Sequence, residues 1–392
     1  MNRRNDPQAA IAAHAAEMEA HLVEIRRDLH AHPELAFTET RTAGVVAAEL
    51  ARLGIPYVTG VGRTGVVGTI QGGSPGPTLA IRADMDALPI TEQTGLTFAS
   101  LVPGLMHACG HDIHTTTLLG VANVLNRLAP QLRGTIKLVF QPAEEVGGGA
   151  LAMMQDGVLD GVDMALGFHN HPDMPTGQFA YVRGASLASV DIFDITVHGK
   201  SGHAAYPHNT VDPVVAAAAL VMQLQTIVSR EVGPTRPCVV TVGAIQGGTA
   251  ANIIPDSVLL KGTVRTLHAN VRDQAEAAIR RLAAGIAASM RVRVDVDYAR
   301  KCPPLVNDNA LVDRGMQSVR DQLGDVVSEG EPSLGGEDFA FMTAARPGLQ
   351  FRIGSGAPGR DDKLHNSDYQ PDEACLVQGV QALSRVALDF LS

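Results

Sequence analysis

Residues Ser189–His198 read SVDIFDITVH. Phe193, Ile195 and Val197 alternate with Asp194, Thr196 and His198, the period-two pattern of a strand with one face in solvent. The strand-like runs upstream lack that alternation. Gly65–Ile70, Thr78–Ile81, Gly134–Phe140 (GTIKLVF) and Val162–Gly167 are short, apolar and rich in β-branched residues. Between and before them lie helical patterns at 8–31, 39–53, 114–128 and 148–156. Strands alternating with helices predict an α/β chain with a mainly parallel, doubly wound sheet. Downstream of Ser189–His198 come a helix at 211–230, strands at 237–245 and 256–266, a helix at 271–289 and a strand at 291–298. That order, β-α-β-β-α-β, predicts a ferredoxin-like α+β unit. Cys302-Pro303-Pro304 then breaks the chain, and helix and strand alternate again from 309 to an amphipathic helix at 372–390. The expectation is a main domain built from 1–185 and 300–392, interrupted by a small domain at 186–299.

Two domains also suit 392 residues, too many for one ordinary core. The net charge of −10 and the scattered lysines and arginines argue against nucleic acid, which needs a basic footprint. The four cysteines, Cys109, Cys238, Cys302 and Cys375, are too far apart for a disulfide framework. The N-terminal stretch, with Arg3 and Arg4 and a brief Ala-rich run broken by His14, makes a poor secretory signal. No apolar run is expected to span a membrane. The expected compartment is the cytoplasm.

The chemistry concentrates in a few loops. Met106–Thr117, MHACGHDIHTTT, places His107, Cys109, His111, Asp112 and His114 within eight residues. Thiolate, imidazole and carboxylate bind borderline divalent metals. One histidine alone is more often a satisfied polar residue. Here Cys109, His111, Glu145, His169 and His365 all fall in Gly- or Pro-bounded segments, mostly just after strand-like runs, as in sites assembled at strand ends. His107, His114 and His171 are expected to orient ligands rather than bind metal. In VFQPAEEVGGG, adjacent Glu144 and Glu145 should diverge, one towards metal and one towards water as a general base. Asp84 and Asp86 in IRADMDALP point to one side, either supporting the site or capping a turn.

Two formal matches fail. Gly60-Val-Gly62-Arg-Thr-Gly65 fits a dinucleotide fingerprint but runs into a strand rather than a helix. Gly72-Gly-Ser74-Pro75-Gly76 fits a nucleophile elbow, but Pro75 has no N–H to donate to an oxyanion. HExxH is absent. In the inserted segment, His203 lies in SGHAAYPH, Asn252 in GGTAANIIP, and Arg265 ends a strand. Spacing alone fits substrate contact and ordinary loop polarity equally.

Together RADMDALP, MHACGHDIHT, VFQPAEE, GFHNHP, SGHAAYPH, ANIIP, GGEDF and the late LHN resemble the aminoacylase/carboxypeptidase family of dinuclear metallohydrolases. The nearest branch is that of hippurate hydrolases and auxin–amino acid conjugate hydrolases. The resemblance implies two divalent ions on Cys109, His111, Glu145, His169 and His365, with Glu144 as catalytic base. Asp86 and His114 would support the ligands. His203, Asn252 and Arg265 of a lid and dimerisation domain would contact an N-acyl-amino acid. In the wider family a His-x-Asp motif supplies a ligand; this chain has Asp84-Met-Asp86, so Asp84 inherits no ligand role. The branch points to manganese, the thiolate to zinc, with cobalt or nickel also admissible. A homodimer or larger homo-oligomer is expected. The alternatives are a metallo-dipeptidase or carboxypeptidase and, in another class, a non-catalytic metal- or ligand-binding protein. A structural metal site has no use for a spare glutamate.

Overall fold

The structure, a computed structural model, describes residues 6–392, so Arg3 and Arg4 lie outside it. Helix α1 (Pro7–Ala31) starts where Asp6 accepts the Gln8 N–H and Pro7 supplies a helical φ. Its Ile11, Ala15, Met18, Leu22, Ile25 and Leu29 recur at helical spacing and are buried. Next come α2 (Thr40–Arg52), β1 (Tyr57–Val61), β2 (Gly65–Gln71) and β3 (Ser74–Asp84). After a long loop come α3 (His111–Leu128), β4 (Arg133–Gln141), α4 (Gly149–Gln155), β5 (Met164–Pro175), β6 (Phe179–Tyr181) and β7 (Gly184–Leu187). The next stretch holds β8 (Val190–His198), β9 (Gly202–His203), α5 (Pro213–Thr226), β10 (Cys238–Gln246), β11 (Ile253–Ile254), β12 (Ser257–Thr266), α6 (Ala269–Met290) and β13 (Arg293–Cys302). The chain closes with β14 (Leu305–Asn307), α7 (Asn309–Leu323), β15 (Val327–Glu329), α8 (Ala340–Ala345), β16 (Gly348–Gly356) and α9 (Cys375–Phe390).

Two compact units result. The larger takes the described residues up to Gly184 with Val306–Glu331 and Asp338–Ser392; the smaller takes Ala185–Leu305 and Pro332–Glu337. Among the described residues the larger unit's sheet has eight strands in the order β1-β2-β4-β3-β5-β16-β6-β15. Its centre, β4-β3-β5-β16, is parallel, and the β1–β2 hairpin and the β16–β6 pair are antiparallel. Leu79, Ile81, Ile136, Leu138, Leu166 and Phe351 are almost fully buried in this core, as a sheet covered on both faces requires. Gly60 and Gly62, both at positive φ, turn the β1–β2 hairpin, which settles that glycine cluster as a turn.

The smaller unit's sheet is antiparallel, in the order β10-β12-β8-β13. This is the ferredoxin-like order. Phe193, Ile195 and Val197 of β8 form its core with Leu220 and Leu224 of α5 and Ile279 and Ile286 of α6. One helix, Pro213–Glu231, is long and apolar enough to cross a membrane by length and composition, which the sequence reading had not expected. Within this unit one face of it packs on the sheet, with Ala216, Ala217, Leu220 and Leu224 buried.

Several element bounds differ from expectation. Strand β5 runs through His169 to Pro175, so that histidine stands within a strand, where hydrogen bonds to β16 extend the ladder. Helix α3 begins at His111 rather than His114, because Gly110 takes a left-handed conformation that turns the chain directly into the helix. Strand β1 escaped notice because its residues are nearly all exposed and carry no apolar alternation.

Candidate metal centre

The C-terminal ends of the central parallel strands, with the loops that follow them, carry the polar cluster. Cys109, His111 and His169 each offer a ligand atom within 4.8 Å of the others, and so do Cys109, Glu145 and His365. The two sets share Cys109. His111, Glu144 and Glu145 make a third such set. The five residues expected as ligands and Glu144 therefore stand together in the larger unit.

Hydrogen bonds fix which nitrogen each histidine presents. His111 Nδ1 donates to the Asp86 main-chain carbonyl at 2.9 Å, leaving Nε2 to face the cluster. His169 Nδ1 donates to the Asn170 carbonyl at 2.7 Å, and its Nε2 lies 3.5 Å from Cys109 Sγ. His365 Nε2 sits 3.5 Å from Glu145 Oε1. Among the described residues, His111 Nε2 and Glu145 Oε1 are buried without a hydrogen-bond partner. Buried polar atoms seldom stay unsatisfied. A thiol, two imidazole nitrogens and a carboxylate converging with orphaned acceptors fit a divalent cation.

A further grouping, Asp84 with His111 and His114, is also close enough to hold an ion. Its bonding argues otherwise. The Asn170 N–H donates to His114 Nε2 at 2.9 Å, so the ring's proton is on Nδ1, which meets Asp84 at 2.5 Å. Both ring nitrogens of His114 are engaged. Asp84 is bonded as well by Arg82 Nη1 at 2.7 Å.

Charge follows this arrangement. Burial pushes the Cys109 thiol well above its ordinary range, against the opposing charge of His111. Burial pulls His169 well below its range. Burial raises the Glu145 carboxyl, but His365 and His111 outweigh it and hold it low. Burial likewise opposes ionisation of Asp84, yet His111, Arg82 and His114 keep it well below the carboxylate range.

The tandem glutamates are held through their main chain. Asp86 accepts the Glu144 N–H on Oδ1 and the Glu145 N–H on Oδ2, both at 3.0 Å. The side chains then part. Glu145 turns to His365, while Glu144 Oε1 accepts the Asp338 N–H at 3.3 Å. Ala143, just before them, has a φ of +54°, a conformation that costs a non-glycine residue about 1–2 kcal/mol.

One expectation needs correction. Neither ring nitrogen of His107 has a hydrogen-bond partner among the described residues, so it orients no ligand through a bond; burial brings it down to about 4. His171 Nδ1 is likewise unbonded there. Sequence reasoning also missed Arg82, Gln141 and Asp338. The Arg82 guanidinium is fully buried and joins Asp84, Gln141 Oε1 and Asp338 Oδ1. An arginine inside the apolar run TLAIRAD was the available signal.

His203, Asn252 and Arg265 belong to the smaller unit. The Ala205 N–H donates to His203 Nδ1 at 3.1 Å, which places the ring proton on Nε2. Ile253 pairs with His203, and the Asn252 carbonyl accepts the Ala204 N–H. Arg265 lies on β12 beside Gly336, where an added Cβ would come within 3.1 Å of Nη1.

The sequence model of Peptidase family M20/M25/M40 matches residues 80–389. An N-acetylcysteine deacetylase of Bacillus subtilis is 40% identical over 375 residues, covering 94% of this chain and 97% of its own. Thermostable carboxypeptidase 2 of Saccharolobus solfataricus is 39% identical over 383 residues, covering 95% of this chain and 96% of its own. The Bacillus subtilis YXEP protein, described as a dinuclear metal binding peptidase from the M20 family, superposes with a TM-score of 0.86 at 36% identity, over 96% of this chain and 99% of that one. With the cluster at its strand ends, the chain belongs to peptidase family M20/M25/M40 and is a metal-dependent amide hydrolase.

Proposed function

We propose that this enzyme cleaves the amide bond of N-acyl-amino acids, releasing a carboxylic acid and a free amino acid. Two divalent ions would be held by Cys109, His111, Glu145, His169 and His365. The observation that carries this reading is the spare glutamate: Glu144 reaches the same cluster as Glu145 but is bonded away from it, to the Asp338 N–H. When bound, such ions act as Lewis acids that polarise a carbonyl and acidify water. Glu144 takes a proton from the attacking water as its oxygen bonds to the carbonyl carbon. It returns that proton to the nitrogen as the C–N bond breaks. Asp86 and His114 keep the glutamates and Asp84 in place. His203 offers an Nε2–H for the developing oxyanion, and Arg265 a planar fork for the substrate carboxylate. Asn252 would contact the acyl-amino acid from the same segment.

The deacetylase relative supports the N-acyl class, and the carboxypeptidase relative supports peptides as the second reading. An assay with manganese or zinc on N-acetyl- and N-benzoyl-amino acids, beside unblocked dipeptides, decides between them. Faster turnover of dipeptides would overturn the first reading. Four free, buried cysteines support the cytoplasm as the compartment. The exposed Val214, Val215 and Met222 of α5 support a homodimer formed through the smaller unit.

A further inference from the structure

Glu39 carried no chemistry in the sequence reading, yet its side chain is fully buried at the start of α2. Its Oε1 accepts the main-chain N–H groups of Phe37 and Ala143, each at 2.9 Å. Its Oε2 accepts the Thr64 hydroxyl at 2.5 Å. These donors come from three separate stretches: the loop after α1, the β1–β2 hairpin and the turn after β4. Phe37 and Ala143 share an unusual feature, left-handed φ values of +62° and +54°. Residues with side chains avoid that region unless the surroundings enforce it.

The next two amides along the chain, of Glu144 and Glu145, go to Asp86. Three consecutive N–H groups, 143 to 145, are thus held by two buried carboxylates. Asp86 fixes where the two glutamates leave the main chain. Glu39 fixes the residue before them in a conformation alanine does not choose by itself. The packing allows little slack, since a Cβ at Gly149 would overlap the Pro142 carbonyl oxygen.

We propose that Glu39 is a positioning residue for Glu144, acting through the left-handed turn at Ala143. The proposal rests on Glu144 being the base. Misplacing a catalytic group by about 1 Å can cost about 10²-fold in rate. Glu39→Met removes the acceptors at similar volume and should lower kcat about 10²-fold, with KM and metal content unchanged. Glu39→Gln keeps an amide oxygen for Phe37 and Ala143, and the Thr64 hydroxyl can rotate to accept its N–H, so most of kcat should return. In the double variant Glu39→Met with Ala143→Gly, glycine takes the left-handed φ without strain and should restore part of kcat.

Amide hydrogen exchange at 143–145 in the metal-free protein supplies a readout independent of turnover. Exchange should quicken in Glu39→Met and slow again in Glu39→Gln. Unchanged exchange and kcat in Glu39→Met would overturn the proposal. So would a lost kcat that neither Glu39→Gln nor the added Ala143→Gly restores, since that marks a general packing loss. If Glu39→Met fails to fold, Glu39→Asp carries the same test, keeping the charge but shortening the reach. Glu144→Gln is measured alongside. Normal turnover there would remove the base assignment, whereas the exchange data report on the turn alone.

Discussion

His111 donates its Nδ1 proton to the main-chain carbonyl of Asp86 at 2.9 Å. The same Asp86 holds both glutamate amides on its carboxylate, so one residue sets the direction of His111 Nε2 and of the Glu144–Glu145 turn. In the proposed roles, ligand and base are thus fixed from a common support.

Metal binding should release protons. Burial holds the Cys109 thiol protonated at neutral pH; burial also opposes the charge on His111, but Asp84, Cys109 and Asp86 together outweigh it and raise the imidazole. A ligand must shed its proton to bind, so affinity is lost as pH falls, by at least about tenfold per unit. Competition with a chromophoric chelator at two pH values reads this. A pH-independent affinity would remove Cys109 from the ligand set, and Cys109→Ser should flatten the slope.

The tandem glutamates should separate by phenotype. Glu144→Gln should keep its metal and lose about 10²–10⁴-fold in kcat. Glu145→Gln should lose metal occupancy first. Elemental analysis beside turnover distinguishes them, and near-normal kcat in Glu144→Gln would refute the base.

Arg82→Met should be among the most damaging substitutions for stability. It leaves Asp84 and Asp338 as buried carboxylates without their guanidinium, at about 3–5 kcal/mol. Asp84 has a depressed pKa when folded, so its contribution is present above the unfolded carboxylate pKa and fades as pH falls further. Acid unfolding of Arg82→Met should therefore begin at higher pH. Denaturant titration of the metal-free protein measures the loss, and a change below about 1 kcal/mol would contradict the pairing.

Arg265→Ala should raise KM strongly for substrates with a free carboxylate and far less for their amides. Equal effects on both would remove the clamp.

Complementation tests the proposal that, in a homodimer, each subunit lends His203 to its partner's metal centre. Glu144→Ala and His203→Ala should each be nearly inactive. Refolded together in equal amounts, half the dimers are mixed and each carries one intact site, so about a quarter of wild-type activity should return. Mixed dimers without recovery would place His203 within its own chain's site or outside catalysis.

Much of this was legible in the sequence. The alternation in Ser189–His198 marks a sheet with one wet face, and the continuous runs around Ile81 and Leu138 mark a sheet covered on both. Cys109, His111, Glu144 and Glu145 announce themselves because reactive side chains crowd a short segment. Glu39 and Asp338 do not, because their importance lies in accepting main-chain N–H groups from distant stretches of the chain. No local pattern records that. Asn170 escaped for the same reason: it bonds His114 and His169 through its own main chain, which any residue possesses.

Strand β16 lies between β5 and β6, although more than 160 residues of sequence separate it from either. A chain emerging from the ribosome must leave a gap in the middle of its main sheet until residues 348–356 are made, and His365 follows later still. The nascent protein therefore carries Cys109 and His111 for most of synthesis without His365, the last of the proposed ligands. On the proposed ligand set the site is complete only once His365 has been made, and a product cut before residue 348 leaves β5 and β6 as open sheet edges.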